Sequence, residues 1–141
     1  MTRRTPIELE RAWHALVTLV MDTRGDYRRS ASAATGLPFS RLRALKRVGK
    51  GPITLRALAD SMSTDAPAAT VIVNDLEERG LVRREPHPDD RRAKVVFVTT
   101  EGKRALRALA AVPDPVPPNF DALDERDVAH FVRIAEKIGP K

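Results

Sequence analysis

The chain has 141 residues, a net charge of +6 and a pI near 10.3, with 25 Arg and Lys against 19 Asp and Glu. A chain of this length folds as one domain and can bury roughly two thirds of its surface without disulfides or metals, which leaves no room for a separate catalytic domain. The lack of cysteine excludes disulfides, thiolate metal sites and thiol chemistry. The histidines show no zinc-binding spacing, the glycines form no phosphate loop, and no cluster of nucleophile, base or metal ligands indicates an enzyme.

The hydropathy and charge patterns indicate the expected location of the protein and the kind of partner it binds. No apolar run approaches the ~18 residues that cross a bilayer, and the N-terminus lacks the apolar region of a signal peptide, so we expect a cytoplasmic protein with no membrane partner, metal or bound cofactor. Residues 24–50 carry eight Arg or Lys and one Asp, whereas residues 64–80 carry four acidic residues and one Arg. The basic excess favours a polyanionic partner, although a solvated helix surface explains residues 24–50 equally well.

The N-terminal segment predicts a helix from Pro6 that is apolar on more than one side. Leu9, Trp13, Leu16 and Val20 recur at intervals of three and four residues, and other apolar residues flank them. Such a helix needs a second partner surface, either another helix of the chain or another subunit. After a break at residues 24–26, a short helix capped by Asp26 and a third helix over residues 39–48 are expected.

The middle of the chain predicts two short helices joined by a polar turn. Residues 53–63 indicate a short extended segment followed by a helix. Asp65 is a suitable N-cap for the next helix, over residues 66–79, and Gly80 fits the position just after its end. This pair resembles a helix-turn-helix.

A hairpin follows directly, because β-prone residues 81–85 and 95–99 flank a charged turn at residues 86–92. A helix from Thr99 or Thr100 through Ala111 is expected next. Residues 113–118, with four prolines, must interrupt the helix and run extended. A last helix is predicted over residues 123–138.

This order of elements resembles the MarR family of bacterial winged-helix transcription regulators. The likeness rests on Leu-Ala-Asp at 58–60, DLEERGLVRR at 75–84, PDDRRAK at 88–94, and Val-Thr at 98–99 leading to Glu-Gly at 101–102. It implies a mainly α fold with a small β wing, an obligate homodimer with interlocking terminal helices, a palindromic operator near the regulator's own promoter, and often a small aromatic or phenolic inducer. The winged helix-turn-helix lobe would span residues 37–100 of a single domain, and residues 5–35 and 101–141 would supply the dimerisation helices.

The helix over residues 66–79 is the expected recognition helix. At 100° per residue, one face of this helix is buried and the opposite face is exposed to DNA. On the exposed face, Asn can bond an adenine edge, Thr can reach a base or a phosphate, and apolar groups can cover a thymine methyl. Asn74 and Thr70 are the main base-reading candidates. The family often has Arg where Val71 stands and a basic or neutral residue where Asp75 stands, a departure that lowers the expected phosphate affinity. Glu77 and Glu78 are expected late in the helix, away from the strands.

The hairpin would form the wing. Asp89 and Asp90 can hold its turn, Arg92 is expected to enter the minor groove, and Arg91 to contact a phosphate. The alternative is that these residues form a solvated hairpin tip with no contact to DNA. The full set of DNA-binding candidates is Arg56, Pro67, Thr70, Val71, Asn74, Arg83, Arg84, Arg91, Arg92 and Lys94.

The broad apolar helices at the chain ends predict a homodimer, because a lone lobe cannot cover them. The expected interface residues are Leu9, Trp13, Leu16, Val20, Val128, Phe131, Val132 and Ile138. Trp13, His14 and Tyr27 are the candidates for binding a small-molecule effector. Two functions remain open: a dimeric regulator of double-stranded DNA, expected to be a ligand-responsive repressor, and a winged-helix protein-interaction module with weak or no DNA binding, suggested by the acidic recognition helix and Val71.

Overall fold

The computed structural model describes residues 5–140, which form α-helices and one small antiparallel sheet. No helix in that range is long and apolar enough to span a membrane. The helices are α1 (Ile7–Thr23), α2 (Gly25–Thr35), α3 (Phe39–Gly49), α4 (Leu55–Ser61), α5 (Ala66–Glu78), α6 (Thr100–Ala110) and α7 (Glu125–Ile138), with a 3-10 helix at Pro118–Ala122. The strands are β1 (Ile53–Thr54), β2 (Val82–Pro86) and β3 (Lys94–Val98).

α5 begins at the predicted residue and ends one residue before the predicted Arg79, and both ends have local causes. The Asp65 carboxylate accepts a hydrogen bond from the Ala68 amide at 2.7 Å and so caps the helix start. At the other end Gly80 has a φ of +75°, and the Leu81 amide donates to the Leu76 carbonyl at 2.9 Å. This backbone reversal needs the left-handed region, which glycine enters without steric cost.

The sheet joins the hairpin to the segment that precedes α4. β3 lies in the centre, with β2 and β1 antiparallel on either side of it. Ile53 faces Val96 across one pair of strands, and Val82 faces Val98 across the other. The hairpin was predicted, as was the extended segment before α4, but its pairing with β3 was not. The resulting helix-turn-helix and wing confirm the predicted mainly α, winged fold.

The hydrophobic core lies within the central part of the chain. α3 contributes its whole inner face, and it packs against α5, α6 and β3. Leu42, Leu45, Leu58, Leu76 and Val96 are the larger side chains that lose essentially all contact with solvent.

The terminal helices differ from the centre, because neither α1 nor α7 has a buried residue. Within residues 5–140, an ion pair and an aromatic pair are among the contacts of the segment between α6 and α7. Asp114 forms an ion pair with Arg24, and the Phe120 and Phe131 rings meet edge to face with centroids 5.3 Å apart. Residues 113–117 are not helical, as their prolines predicted.

Two predicted helix starts are wrong. α2 begins at Gly25 directly after the helical Arg24, so Asp26 falls in its first turn and pairs with Arg29 rather than capping the helix. α7 begins at Glu125 instead of Leu123, because Asp124 forms a capping box there. The preceding 3-10 helix was also missed.

Candidate nucleic-acid interface

The outward face of α5 carries the side chains that were predicted to read bases. Pro67, Val71 and Asn74 are exposed and Thr70 is half-buried. The opposite face is buried through Ala69, Val73 and Leu76, which belong to the core side of the lobe. The predicted division of the helix into two faces is therefore confirmed.

The wing tip is held by its own backbone and by Asp90. The Asp90 carboxylate accepts from the Arg92 amide at 3.0 Å, and the Ala93 amide donates to the Asp90 carbonyl at 3.0 Å. His87 Nδ1 accepts from the Asp89 amide at 3.1 Å. Asp90 therefore performs the turn-holding role that was expected of it, and its carboxylate is directed to an amide rather than to a guanidinium.

A groove of about 670 Å³ runs between the wing and the N-terminal ends of α4 and α5. Three of the predicted DNA-binding side chains line it: Arg56 from α4, and Arg92 and Lys94 from the wing. His87 lines the same groove and was not among the candidates. Its place in the charged turn was the only signal in the sequence that could have indicated it. The fold thus gathers cations from two separate stretches of the chain into one concave surface.

The arginines of the hairpin fall into two groups. Among residues 5–140, Arg91 and Arg92 form no ion pair and both are exposed. Arg83 instead pairs with Glu85 at 3.0 Å and lies over the Phe97 ring, 4.6 Å from its centroid. The tip therefore offers guanidinium groups with uncommitted hydrogen-bond donors, while those at the base of β2 are engaged.

Asp75 does not point its charge outward from the recognition helix. Its carboxylate accepts from Arg41 Nε at 2.8 Å and from Arg79 Nε at 3.0 Å. The hydrogen bond from Arg41, followed by that from Arg79, lowers the pKa of Asp75. Arg41 lies on α3, so this pair also ties the recognition helix to the core helix behind it. Arg41 was not among the predicted residues, and its only signal in the sequence was the basic excess of residues 24–50.

The expectation that Glu77 lies away from the strands is wrong. Glu77 accepts from the Arg84 amide at 2.9 Å and from the Arg84 guanidinium at 3.0 Å, which joins α5 to β2. The Arg84 side chain is the main reason why the pKa of Glu77 is lowered. The error arose because the reversal at Gly80 folds β2 back alongside the last turn of α5.

A second cavity, of about 800 Å³, lies on α3 near the junction of α1 and α2. Tyr27, Phe39 and Leu109 provide apolar and aromatic surface, and Tyr27 and Phe39 meet edge to face at 6.4 Å. Of the three predicted effector-binding residues, only Tyr27 lines this cavity; Trp13 and His14 are exposed on α1. Basic side chains of α3 and of the residue that follows it reach the cavity as well: Arg43, Lys46, Arg47 and Lys50.

The residues that were predicted to form a dimer interface are all exposed in the single chain. Trp13 keeps 62% of its surface accessible to solvent, and Phe131 keeps 39% even though it packs on Phe120. Further large apolar side chains on the same two helices are exposed and were not predicted: Ile7, Val17, Met21 and Ile134.

Comparison with known proteins identifies the family to which this architecture belongs. A model of the MarR family matches residues 35–93, which include the helix-turn-helix and most of the hairpin. The transcriptional regulator HosA of Escherichia coli O111:H- is 32% identical over 130 residues, which cover 91% of this chain and 94% of HosA. The chain belongs to the MarR family.

Solved structures agree with this fold. The transcriptional regulator BldR from Sulfolobus solfataricus superposes with a TM-score of 0.72 at 21% identity, covering 96% of this chain and all of BldR (100%). A mutant of MarR from Escherichia coli, complexed with operator DNA, superposes with a TM-score of 0.64 at 21% identity over 89% of this chain and 94% of that chain. The family model and HosA confirm the resemblance to the MarR family that the sequence indicated, and these structures show the same fold.

Proposed function

We propose that the protein is a homodimeric, sequence-specific regulator of transcription that binds a palindromic operator in double-stranded DNA and acts as a ligand-responsive repressor. The observation that supports it most is the groove between the wing and the N-terminal ends of α4 and α5, which Arg56, Arg92 and Lys94 line together. A protein of the same fold occurs in complex with operator DNA. In this arrangement α5 enters the major groove and the wing reaches the adjacent minor groove.

The ion pairs of α5 support DNA binding over the alternative interaction module. That alternative was suggested by the acidic residues of the recognition helix. Because Asp75 is bonded to two arginines and Glu77 to Arg84, these carboxylates are balanced by neighbouring guanidinium groups. Their repulsion of phosphate is correspondingly reduced.

The terminal helices support the homodimer. Exposed apolar residues follow α1 and α7 along their length, and a second copy of the chain would cover them without needing another partner. A two-fold axis between the lobes would set two recognition helices about one DNA turn, roughly 34 Å, apart. This spacing is the reason for expecting a palindromic operator.

The cavity on α3 supports response to an effector. It combines aromatic and apolar surface with cationic side chains, and its carboxylate, Asp114, is already paired with Arg24. An aromatic or apolar molecule that carries negative charge fits this lining. The ion pair links the segment before α7 to the start of α2, so an occupant here would alter the position of the lobe relative to the terminal helices and weaken operator binding.

The test compares Arg92→Ala with Arg83→Ala as a matched control. A fluorescent duplex from the DNA upstream of the protein's own gene is titrated at several salt concentrations. Arg92→Ala should cost on the order of 1–3 kcal/mol of binding free energy, as loss of a specific contact usually does, whereas Arg83, already paired, should matter less. Equal affinity of Arg92→Ala and the native protein would contradict the wing assignment. A shallow salt slope with no preference over random DNA would instead support the interaction module.

A further inference from the structure

The outward face of α5 has an unusual chemical composition for a helix that would read DNA. Val71 lies in its centre with 58% of its surface exposed, although three other apolar residues of the same helix are buried. Nothing within residues 5–140 covers it. An apolar side chain in this position can contribute to base recognition only through van der Waals contact and exclusion of water.

The rest of that face offers no cation to a base edge. Guanine is most often recognised by Arg or Lys bonded to its O6 and N7, but the outward residues Pro67, Thr70 and Asn74 are uncharged. The next arginine in the chain, Arg79, lies just beyond the end of α5 and bonds Asp75. Direct readout by this helix therefore cannot use the commonest guanine contact.

Thr70 is also restricted as a reader. Its hydroxyl donates its hydrogen to the Ala66 carbonyl at 2.8 Å, within the helix. While that bond persists, the hydroxyl can only accept from a base. Asn74 retains both donors and acceptor, because no hydrogen bond of its side chain occurs among the described residues, and it can pair in two places with adenine N6 and N7.

We propose that Val71 reads the 5-methyl group of a pyrimidine in the major groove, beside a base pair read by Asn74. The inference rests on the proposed DNA binding and names the group that the recognition helix detects. Val71 and Asn74 are three residues apart, a rise of about 4.5 Å along the helix, which is close to the ~3.4 Å between stacked base pairs. The two side chains are therefore close enough to contact the same or adjacent base pairs, and thymine is the native source of the methyl group.

The experiment uses a duplex selected from a random pool by the purified native protein. Each thymine is replaced in turn by deoxyuridine, which removes only the 5-methyl group. Removing one buried methyl group should weaken binding about fourfold in one half-site, and about fifteenfold when both symmetric positions are replaced. At the sensitive position, replacing the T·A pair by C·G should also weaken binding, and methylating that cytosine at C5 should recover part of the loss.

Two variants assign the effect to Val71. Val71→Ala should bind the thymine and deoxyuridine duplexes with equal affinity. Val71→Thr, which keeps one of the two methyl groups at the same shape, should retain an intermediate sensitivity. Both substitutions are at an exposed position, so the fold should be unaffected.

Failure of this inference is distinguishable from failure of the proposed function. If the native protein selects a duplex but no deoxyuridine substitution weakens binding, or if Val71→Ala remains sensitive to the methyl group, the methyl readout is overturned and DNA binding stands. If the native protein selects no sequence from the pool, the proposed function fails, and the inference fails with it.

Discussion

The central lobe and the terminal helices use similar apolar patterns with opposite outcomes. α3 places Leu42, Leu45 and Val48 fully inside the lobe. α1 and α7 repeat apolar residues at comparable helical intervals, yet they bury none of them within the chain. The lobe therefore buries its own apolar residues. The terminal helices instead expose apolar surface, which costs free energy in water until another surface covers it.

This difference assigns separate tasks to the two regions. The lobe holds the wing and recognition helix in fixed geometry through its core and through the Asp75 and Glu77 ion pairs. In the proposed homodimer, the terminal helices would join the two lobes. Substitutions in the lobe should consequently change folding, and substitutions on the terminal helices should change assembly.

The largest effect is expected from Val132→Asp on α7. A carboxylate in the proposed apolar interface would lose its hydration without a partner, at a cost of several kcal/mol, so the dimer dissociation constant should rise on the order of 100-fold or more. Operator affinity should fall with it, because a single lobe gains nothing from a second half-site. Sedimentation velocity and a parallel DNA titration measure both quantities.

Val116→Asp provides the control for that substitution. Val116 is an exposed apolar residue of the proline-rich segment, outside both terminal helices. The same chemical change there should leave the dimer intact. Equal dissociation of both variants would show that the effect is not specific to the α7 face.

Within the lobe, Leu45→Ala should lower the free energy of unfolding by about 2–5 kcal/mol, because it leaves a cavity at a fully buried position. Leu9→Ala, at an exposed position of α1, should act on dimerisation instead. Urea denaturation at several protein concentrations, paired with sedimentation, separates the two, because the unfolding midpoint of a dimer depends on protein concentration. A large loss of lobe stability in Leu9→Ala would contradict the division of tasks.

Gly102→Ala tests how tightly α6 is placed against the hairpin. A Cβ at this position would overlap the Leu81 carbonyl oxygen and come within 2.7 Å of Val98 Cγ2. We expect a loss of roughly 1–3 kcal/mol from this overpacking, despite the better helix propensity of alanine. Gly25→Ala, which meets only the flexible end of Arg29, should be neutral or gain up to ~1 kcal/mol in thermal or urea denaturation.

The smallest effect concerns pH. Arg41 and Arg79 lower the pKa of Asp75, and Arg84 lowers that of Glu77. Their contribution to stability is therefore present at neutral pH, above the unfolded-state values, and is lost as the pH falls through the lowered pKa values.

The double variant Asp75→Asn, Glu77→Gln should be less stable at pH 7 and should lose less stability on acidification than the native protein. Urea denaturation from pH 7 to pH 3 gives the comparison. Asp22→Asn removes a carboxylate that has no arginine partner within residues 5–140, and its curve should parallel that of the native chain. Parallel curves for the double variant would contradict the role of these ion pairs.

Features that depend on local chemistry could be predicted from the sequence. The cap at Asp65 and the reversal at Gly80 each follow from a few neighbouring residues, and so do the two faces of α5. The need of the terminal helices for a second partner surface could also be predicted, because their apolar residues are too many for one buried stripe.

Features that depend on distant parts of the chain could not be predicted. Arg41 and Asp75 are 34 positions apart, and only the packing of α3 on α5 brings them together. The same holds for Glu77, which meets β2 because of the reversal after α5, and for the basic side chains that α3 presents to the cavity. A periodic pattern shows which face of a helix is apolar, but it does not show which charged groups meet across two elements.

The most direct test of the account is the mass of the native protein in solution, measured by sedimentation equilibrium at micromolar concentration and physiological salt. Assembly through α1 and α7 predicts a particle of two 15.6 kDa chains, which returns toward the mass of one chain in Val132→Asp. A native protein that sediments as a single chain across the concentration range would contradict it.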